Sequence, residues 1–236
     1  RLAENIDGEG DAFTLAGKRT QTFGSTGMTL AESSPGREIT DPDWIRPADS
    51  PHMAPPTTGI LDLFNQGDRR LWYWQCPESA CRRWFTPTMD NFNQGSKCVF
   101  CPHCGTEIEP KAKRQLNLDG RWVPEGMELT LEGELIGTRR QTRIASFWME
   151  GPSAAFQSWT SLAEKLKRAE ETYEQTSSQE TLKTVINTDW GRPYQYRRAA
   201  TQRSSQRLLD RAEQVERRTV PHGVRFLTAA VDVQGG

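Results

Sequence analysis

The sequence predicts an α+β chain in which a cysteine-bearing β module is followed by a helical connector and then by a buried strand. Three observations predict it. All five cysteines fall between Cys76 and Cys104, within short Gly-bounded segments that read as hairpins around a small sheet. Past Gly151-Pro152 apolar residues recur every three or four positions, the period of a helix. Val224 to Val233 is a near-continuous apolar run of strand length, as in a strand covered on both faces.

Residues 1–36 are polar and Gly-rich. Their one strand candidate, Gly27 to Glu32, is stopped by Pro35 and Gly36. Residues 37–70 read as a Pro-rich linker, because Pro42, Pro47, Pro51, Pro55 and Pro56 disfavour both helix and central strand. Residues 71–150 form the β module, with Trp72, Trp74, Trp84 and Trp122 in its hairpins. Residues 151–219 form the connector. Phe156, Trp159, Leu162, Ala163, Leu166 and Tyr173 predict its first, amphipathic helix. Ser177 with Glu180 fits a capping box opening a second helix that Gly191 and Pro193 end. A third helix is expected over Ser204 to Val215. Residues 220–236 hold the buried strand.

Composition limits the partners. In 236 residues, 30 Lys and Arg balance 31 Asp and Glu, and hydrophobic residues make up 35%. The low apolar share predicts long loops. The charge balance gives no global footprint for nucleic acid or an anionic membrane, so DNA contact must come from local patches. No apolar run approaches the ~20 residues that span a bilayer, and no signal pattern opens the chain, so no membrane partner is expected. A start without Met and a stop just after the strand suggest an internal piece of a larger protein.

The cysteines predict a metal. An odd number confined to one stretch is not how a disulfide scaffold distributes its bridges. Cys76 and Cys81 form one pair. Cys101 and Cys104 form another, in Cys-Pro-His-Cys-Gly, and together they resemble a four-thiolate zinc ribbon. Zinc takes four such ligands tetrahedrally, and two turns supply them without strain. Gly105 suits the position after a knuckle cysteine, where a positive φ is often needed. With the shell closed, the zinc is structural and His103 is a solvated knuckle residue. Cys98 forms a further pair with Cys101 and stands as an alternative ligand, although the Pro102 and Gly105 turn favours Cys104.

Several segments in order resemble a known family. They are Gly10-Asp11-Ala12 with Lys18-Arg19-Thr20, the strand candidate with Ser33-Ser34-Pro35-Gly36, Gly67 to Tyr73 before the first knuckle, Ala145 to Trp148, Asn187 to Tyr194, and Leu227 to Gln234. The set resembles the large subunit of tailed-phage terminases of the lambda GpA type. That resemblance implies a packaging ATPase joined to an RNase H-like nuclease that cuts concatemeric viral DNA. Residues 1–36 would then end the α/β ATPase domain, and residues 220–236 would be the first strand of the nuclease. Ser33 and Ser34 occupy the place of the ATPase coupling motif, and Asp232 matches the first metal-binding carboxylate of the nuclease. A strand-end carboxylate is what a two-metal site requires. The phosphate loop is absent from this stretch, so the resemblance places the ATP site upstream and implies that the piece alone is inactive. The implied cofactors of the parent are ATP and Mg2+ or Mn2+. Its implied partners are double-stranded DNA, the terminase small subunit, the procapsid portal and further copies of itself, in the host cytoplasm with transient docking on the procapsid.

Basic clusters complete the reading. Arg192 to Arg218 carries eight arginines against Asp210, Glu213 and Glu216, which could face DNA phosphates or form a solvated helix face. Arg139, Arg140 and Arg143 pose the same choice. The rival readings are a free-standing zinc-ribbon nucleic-acid module and a docking scaffold.

Overall fold

The centre of the fold is one strand, β1 (Arg70–Gln75), whose residues reach two separate cores. The computed structural model describes residues 11–39, 41, 43–196, 220 and 223. In chain order the remaining strands are β2 (Trp84–Phe85), β3 (Phe92–Asn93), β4 (Cys98–Phe100), β5 (Glu107–Ile108), β6 (Arg121–Val123), β7 (Met127–Leu129), β8 (Leu135–Gly137) and β9 (Phe147–Trp148). The helices are α1 (Ala12–Thr20), α2 (Ile60–Gln66), α3 (Lys113–Asp119), α4 (Trp159–Thr176) and α5 (Glu180–Thr188).

β1 pairs antiparallel with β2 and β6 and parallel with β9. Leu71 is opposite both Val123 and Trp148, so β6 and β9 flank it on opposite edges. β3, β4 and β5 form a small antiparallel sheet around the second cysteine pair, and β7 and β8 form a hairpin. The expected hairpins are therefore present. The parallel β1–β9 pair closes a loop of more than seventy residues, beyond the reach of local pattern.

One core joins the sheets to the helical part. Trp74, Phe85, Val99 and Ile108 pack with Trp159, Leu162, Leu166, Leu182 and Trp190. Trp74 and Trp159 rings lie 6.3 Å apart, and Phe92 meets Trp159 and Trp190 edge-on at 6.2 and 5.1 Å. These elements belong to one compact unit ending at Tyr196. A smaller core of Ala54, Leu61 and Phe64 takes Leu71 and Trp148. Residues 44–58 are loop and turn, as their prolines predict, but the stretch 37–70 read as a linker also forms α2 and supplies Ala54, Leu61 and Phe64 to this core, because those apolar side chains find Leu71 and Trp148 to pack against.

Three local expectations need correction. Gly27 to Glu32 forms no strand: it has no ladder partner among the described residues, and Met28 and Leu30 are exposed. Before it, Asp11 caps α1 by accepting from the Phe13 and Thr14 N–H groups. The amphipathic helix starts at Trp159, with Ser158 accepting from Ser161 N–H, so Phe156 lies outside it and is exposed. Ser177 does not open the second helix. It closes the first in a left-handed conformation with φ 58°, its N–H donating to Tyr173 O, and α5 begins at Glu180 without a side-chain cap. The expected third helix and the strand carrying Asp232 lie outside the described residues.

Candidate metal centre

The turn after β1 and the turn after β4 bring two pairs of cysteines face to face. In the first, Cys81 N–H and Arg82 N–H donate to Glu78 O, and Cys76 N–H donates to Arg83 O. Arg82 takes φ 48° to complete that turn. In the second, Cys101 N–H donates to Thr106 O and Gly105 N–H donates to Cys101 O. Gly105 has φ 76°, a conformation that costs a side-chain-bearing residue energy.

As a result the sulfurs of Cys76, Cys81, Cys101 and Cys104 lie within 4.8 Å of one another. Sγ of Cys76 is 3.7 Å from that of Cys104, and Sγ of Cys81 is 3.9 Å from that of Cys101. Four sulfurs placed ~2.3 Å from a tetrahedral centre would be ~3.8 Å apart, so the cluster has the dimensions of a thiolate metal site. Cys76 and Cys101 are buried and Cys104 is exposed. Burial pushes the Cys76 and Cys101 thiols up. The Thr106 hydroxyl, 3.2 Å away, and its backbone hold Cys104 down to about 6. Four thiols this close could hold a metal ion, whose charge would offset the thiolate form of each ligand.

Cys98 is not among the four. It sits in β4 with its Sγ donating to Ser96 O at 3.4 Å, because strand alternation turns it away from the knuckle that Cys101 begins. His103 is also outside the cluster, its Nε2 lying 3.1 Å from Trp84 O. Ser33 and Ser34 are exposed in a loop, where Ser33 Oγ donates to Ser34 O. Asp232 lies outside the described residues.

A second polar cluster escaped sequence reading. Arg69, with φ 48°, donates two hydrogen bonds from Nη1 to Glu125 at 2.9 and 3.2 Å, and both side chains are buried. Buried Asp68 accepts from the Arg70 guanidinium at 2.8 and 2.9 Å and from Ser146 N–H. His52 bridges Arg69 O and Tyr73 Oη, each at 2.9 Å. Burial holds its pKa below the usual value, and because a carbonyl oxygen only accepts, Nδ1 is the donor to Arg69 O. At Gly67 a Cβ would fall 2.2 Å from Ser146 Oγ, so only glycine admits that close approach. The Gly67-Asp68-Arg69-Arg70 run thus ties the segment before β9 to β1. Two arginines of the 139–143 cluster belong to its rim, Arg139 at 3.9 Å from Asp68 and Arg140 at 3.7 Å from Glu125.

Glu125→Ala should cost about 3–5 kcal/mol in urea unfolding, because it strands a buried guanidinium. The double variant Arg69→Met with Glu125→Leu should recover most of that loss, since an apolar pair carries no desolvation penalty.

Arg192 ends in a comparable tie. It chelates Asp90 and lies 3.6 Å from buried Glu150, whose carboxyl burial pushes up. The first arginine of the 192–218 cluster is therefore structural, and Arg197 onward lies outside the described residues. Among the described residues no helix is long and apolar enough to cross a membrane.

No curated protein and no solved structure matches the chain. Two family models do. Residues 144–236 match the terminase large subunit gpA endonuclease domain, and residues 1–122 match the phage terminase large subunit gpA ATPase domain. The β7–β8 hairpin lies between the matches. Since the ATPase match alone covers more than half of it, the chain belongs to the gpA family of phage terminase large subunits, whose ATPase and endonuclease domains act in the packaging of phage DNA.

Proposed function

We propose that Cys76, Cys81, Cys101 and Cys104 hold one structural zinc ion within a DNA-packaging terminase large subunit. The carrying observation is the mutual distance of the four sulfurs. Four thiolates select zinc among the common divalent ions and leave no position for water, so the ion fixes shape rather than performing chemistry. The chain's residues then act by position: the two knuckles anchor β2 and β5 against the Trp74 core.

The wider reading follows the family. The parent protein would use ATP to translocate double-stranded DNA into procapsids and Mg2+ or Mn2+ to cut concatemers, in the host cytoplasm, docking with the small subunit and the portal. Asp232 would supply the first carboxylate of the nuclease metal site, supported by its place at the end of an apolar run inside the endonuclease match. Ser33 and Ser34 would serve the coupling motif, supported only by their place inside the ATPase match.

Elemental analysis of the purified chain should find one zinc per protein. Cys98→Ser should retain it and Cys104→Ser should lose it. Retention in Cys104→Ser with loss in Cys98→Ser would replace Cys104 by Cys98 in the shell, and a metal-free wild type would remove the zinc reading.

A further inference from the structure

One face of the β6–β1–β9 sheet carries a run of rings that the zinc site does not use. Side chains alternate along a strand, so Arg70, Trp72 and Trp74 share a face of β1. Trp122 is opposite Trp72, and Phe147 is opposite Arg70. At one end Trp74 is fully buried in the core with Trp159. At the other the face opens: Trp72 and Trp122 are half-buried, and Phe147 is 51% exposed.

The rings touch in sequence. Trp72 and Trp122 centroids lie 5.0 Å apart, and Trp122 and Phe147 5.1 Å apart. The Arg70 guanidinium sits 5.0 Å from the Phe147 centroid. Trp72 is held in place by its Nε1 donating to Asn117 Oδ1, so the outer rings rest on a fixed base.

Charge decides the occupant. Arg70 and Arg139 both pair with Asp68, whose side chain is 3% exposed, while their own are 25% and 46% exposed. The acid is beneath the surface and offsets one of the two guanidiniums at it, so a rim of net positive charge remains beside the exposed Phe147 ring. An apolar protein segment would use the rings but gain nothing from the rim. Duplex DNA would use the rim but keeps its bases stacked on one another.

We propose that this face binds single-stranded DNA, with unstacked bases against Phe147 and Trp122 and phosphates beside Arg70 and Arg139. Aromatic platforms with flanking arginines bind single strands in this way, with little sequence preference. The surface is distinct from the metal centre, so the proposal stands or falls apart from the zinc reading.

The test is fluorescence anisotropy of the chain with a labelled oligothymidylate and a labelled duplex of equal length. Phe147→Ala should weaken oligothymidylate binding roughly 5- to 150-fold, the equivalent of ~1–3 kcal/mol per stacked base, and leave duplex binding unchanged. Phe147→Tyr should keep wild-type affinity, and Phe147→Leu, which keeps apolar bulk without a π-face, should behave like the alanine variant. Arg139→Gln should flatten the salt dependence of oligothymidylate binding by about 0.7 in log–log slope. Zinc content and circular dichroism of each variant should match wild type, since Phe147 projects from the surface. No binding of oligothymidylate by wild type, equal losses on duplex and single strand, or full affinity in Phe147→Leu would each overturn the proposal.

Discussion

If the four cysteines hold the proposed zinc, Cys101→Ser, or chelation of the wild type, should unfold the sheets together with α4 and α5. Cys101 is fully buried, and Cys76 nearly so, in the same core as Trp74, Trp159, Leu182 and Trp190. The sheets around the knuckles are two- and three-residue strands, too short to persist unaided. Structural zinc sites contribute ~10–16 kcal/mol of apparent binding energy, against a total of ~5–15 kcal/mol for the stability of a typical domain. Loss of a site on that scale would outweigh the net stability of a typical domain. Circular dichroism should show α4 and α5 melting in one transition with the tryptophan fluorescence shift, and zinc should restore both signals in the chelated wild type. A helical signal that survives chelation, with only local change near the knuckles, would mean the aromatic core stands without the metal.

The second large effect concerns the nuclease. In the intact terminase, Asp232→Asn should nearly abolish DNA cutting and leave ATP hydrolysis close to wild type. A two-metal site holds its cations ~3.5–4 Å apart with shared carboxylates, and an amide in place of one neither carries the charge nor bridges the ions. An ionised carboxylate at the end of an apolar run is costly unless a cation or donors compensate it, which supports the proposed metal role of Asp232 over that of a plain strand-end residue. Cutting at the wild-type rate would return it to that plainer role.

What the sequence made legible was local. The knuckle spacings, Gly105 and the proline-rich loop carry their chemistry within a few residues, and the structure assembles the four cysteines that such spacing suggests. The period of Trp159, Leu162, Ala163 and Leu166 likewise marks the face of α4 that is buried. Where pattern misled, a competing local geometry prevailed: Ser177 satisfies the Ser-x-x-Glu signature, but its backbone turns left-handed to close the preceding helix. What stayed illegible was long-range. Arg69 finds Glu125 and Gly67 admits Ser146 across loops of more than fifty residues, and nothing in either neighbourhood announces the other. Arg139 likewise left open whether it faced DNA or solvent, because its ion pair with the buried Asp68 joins residues far apart in sequence.

Leu71 sits between Val123 and Trp148, so the strand at the end of the ATPase match and one inside the endonuclease match share one neighbour, itself in the ATPase match. Modular exchange between relatives is constrained by that arrangement. A crossover anywhere between residues 123 and 143 would join a foreign β9 and a foreign Trp159 to a resident β1 and Trp74, breaking ring packing that has to be matched on both sides. A chimera that keeps β1, β9, Trp74 and Trp159 from one parent preserves this packing, and lineages that trade nuclease cassettes would be expected to carry those residues together.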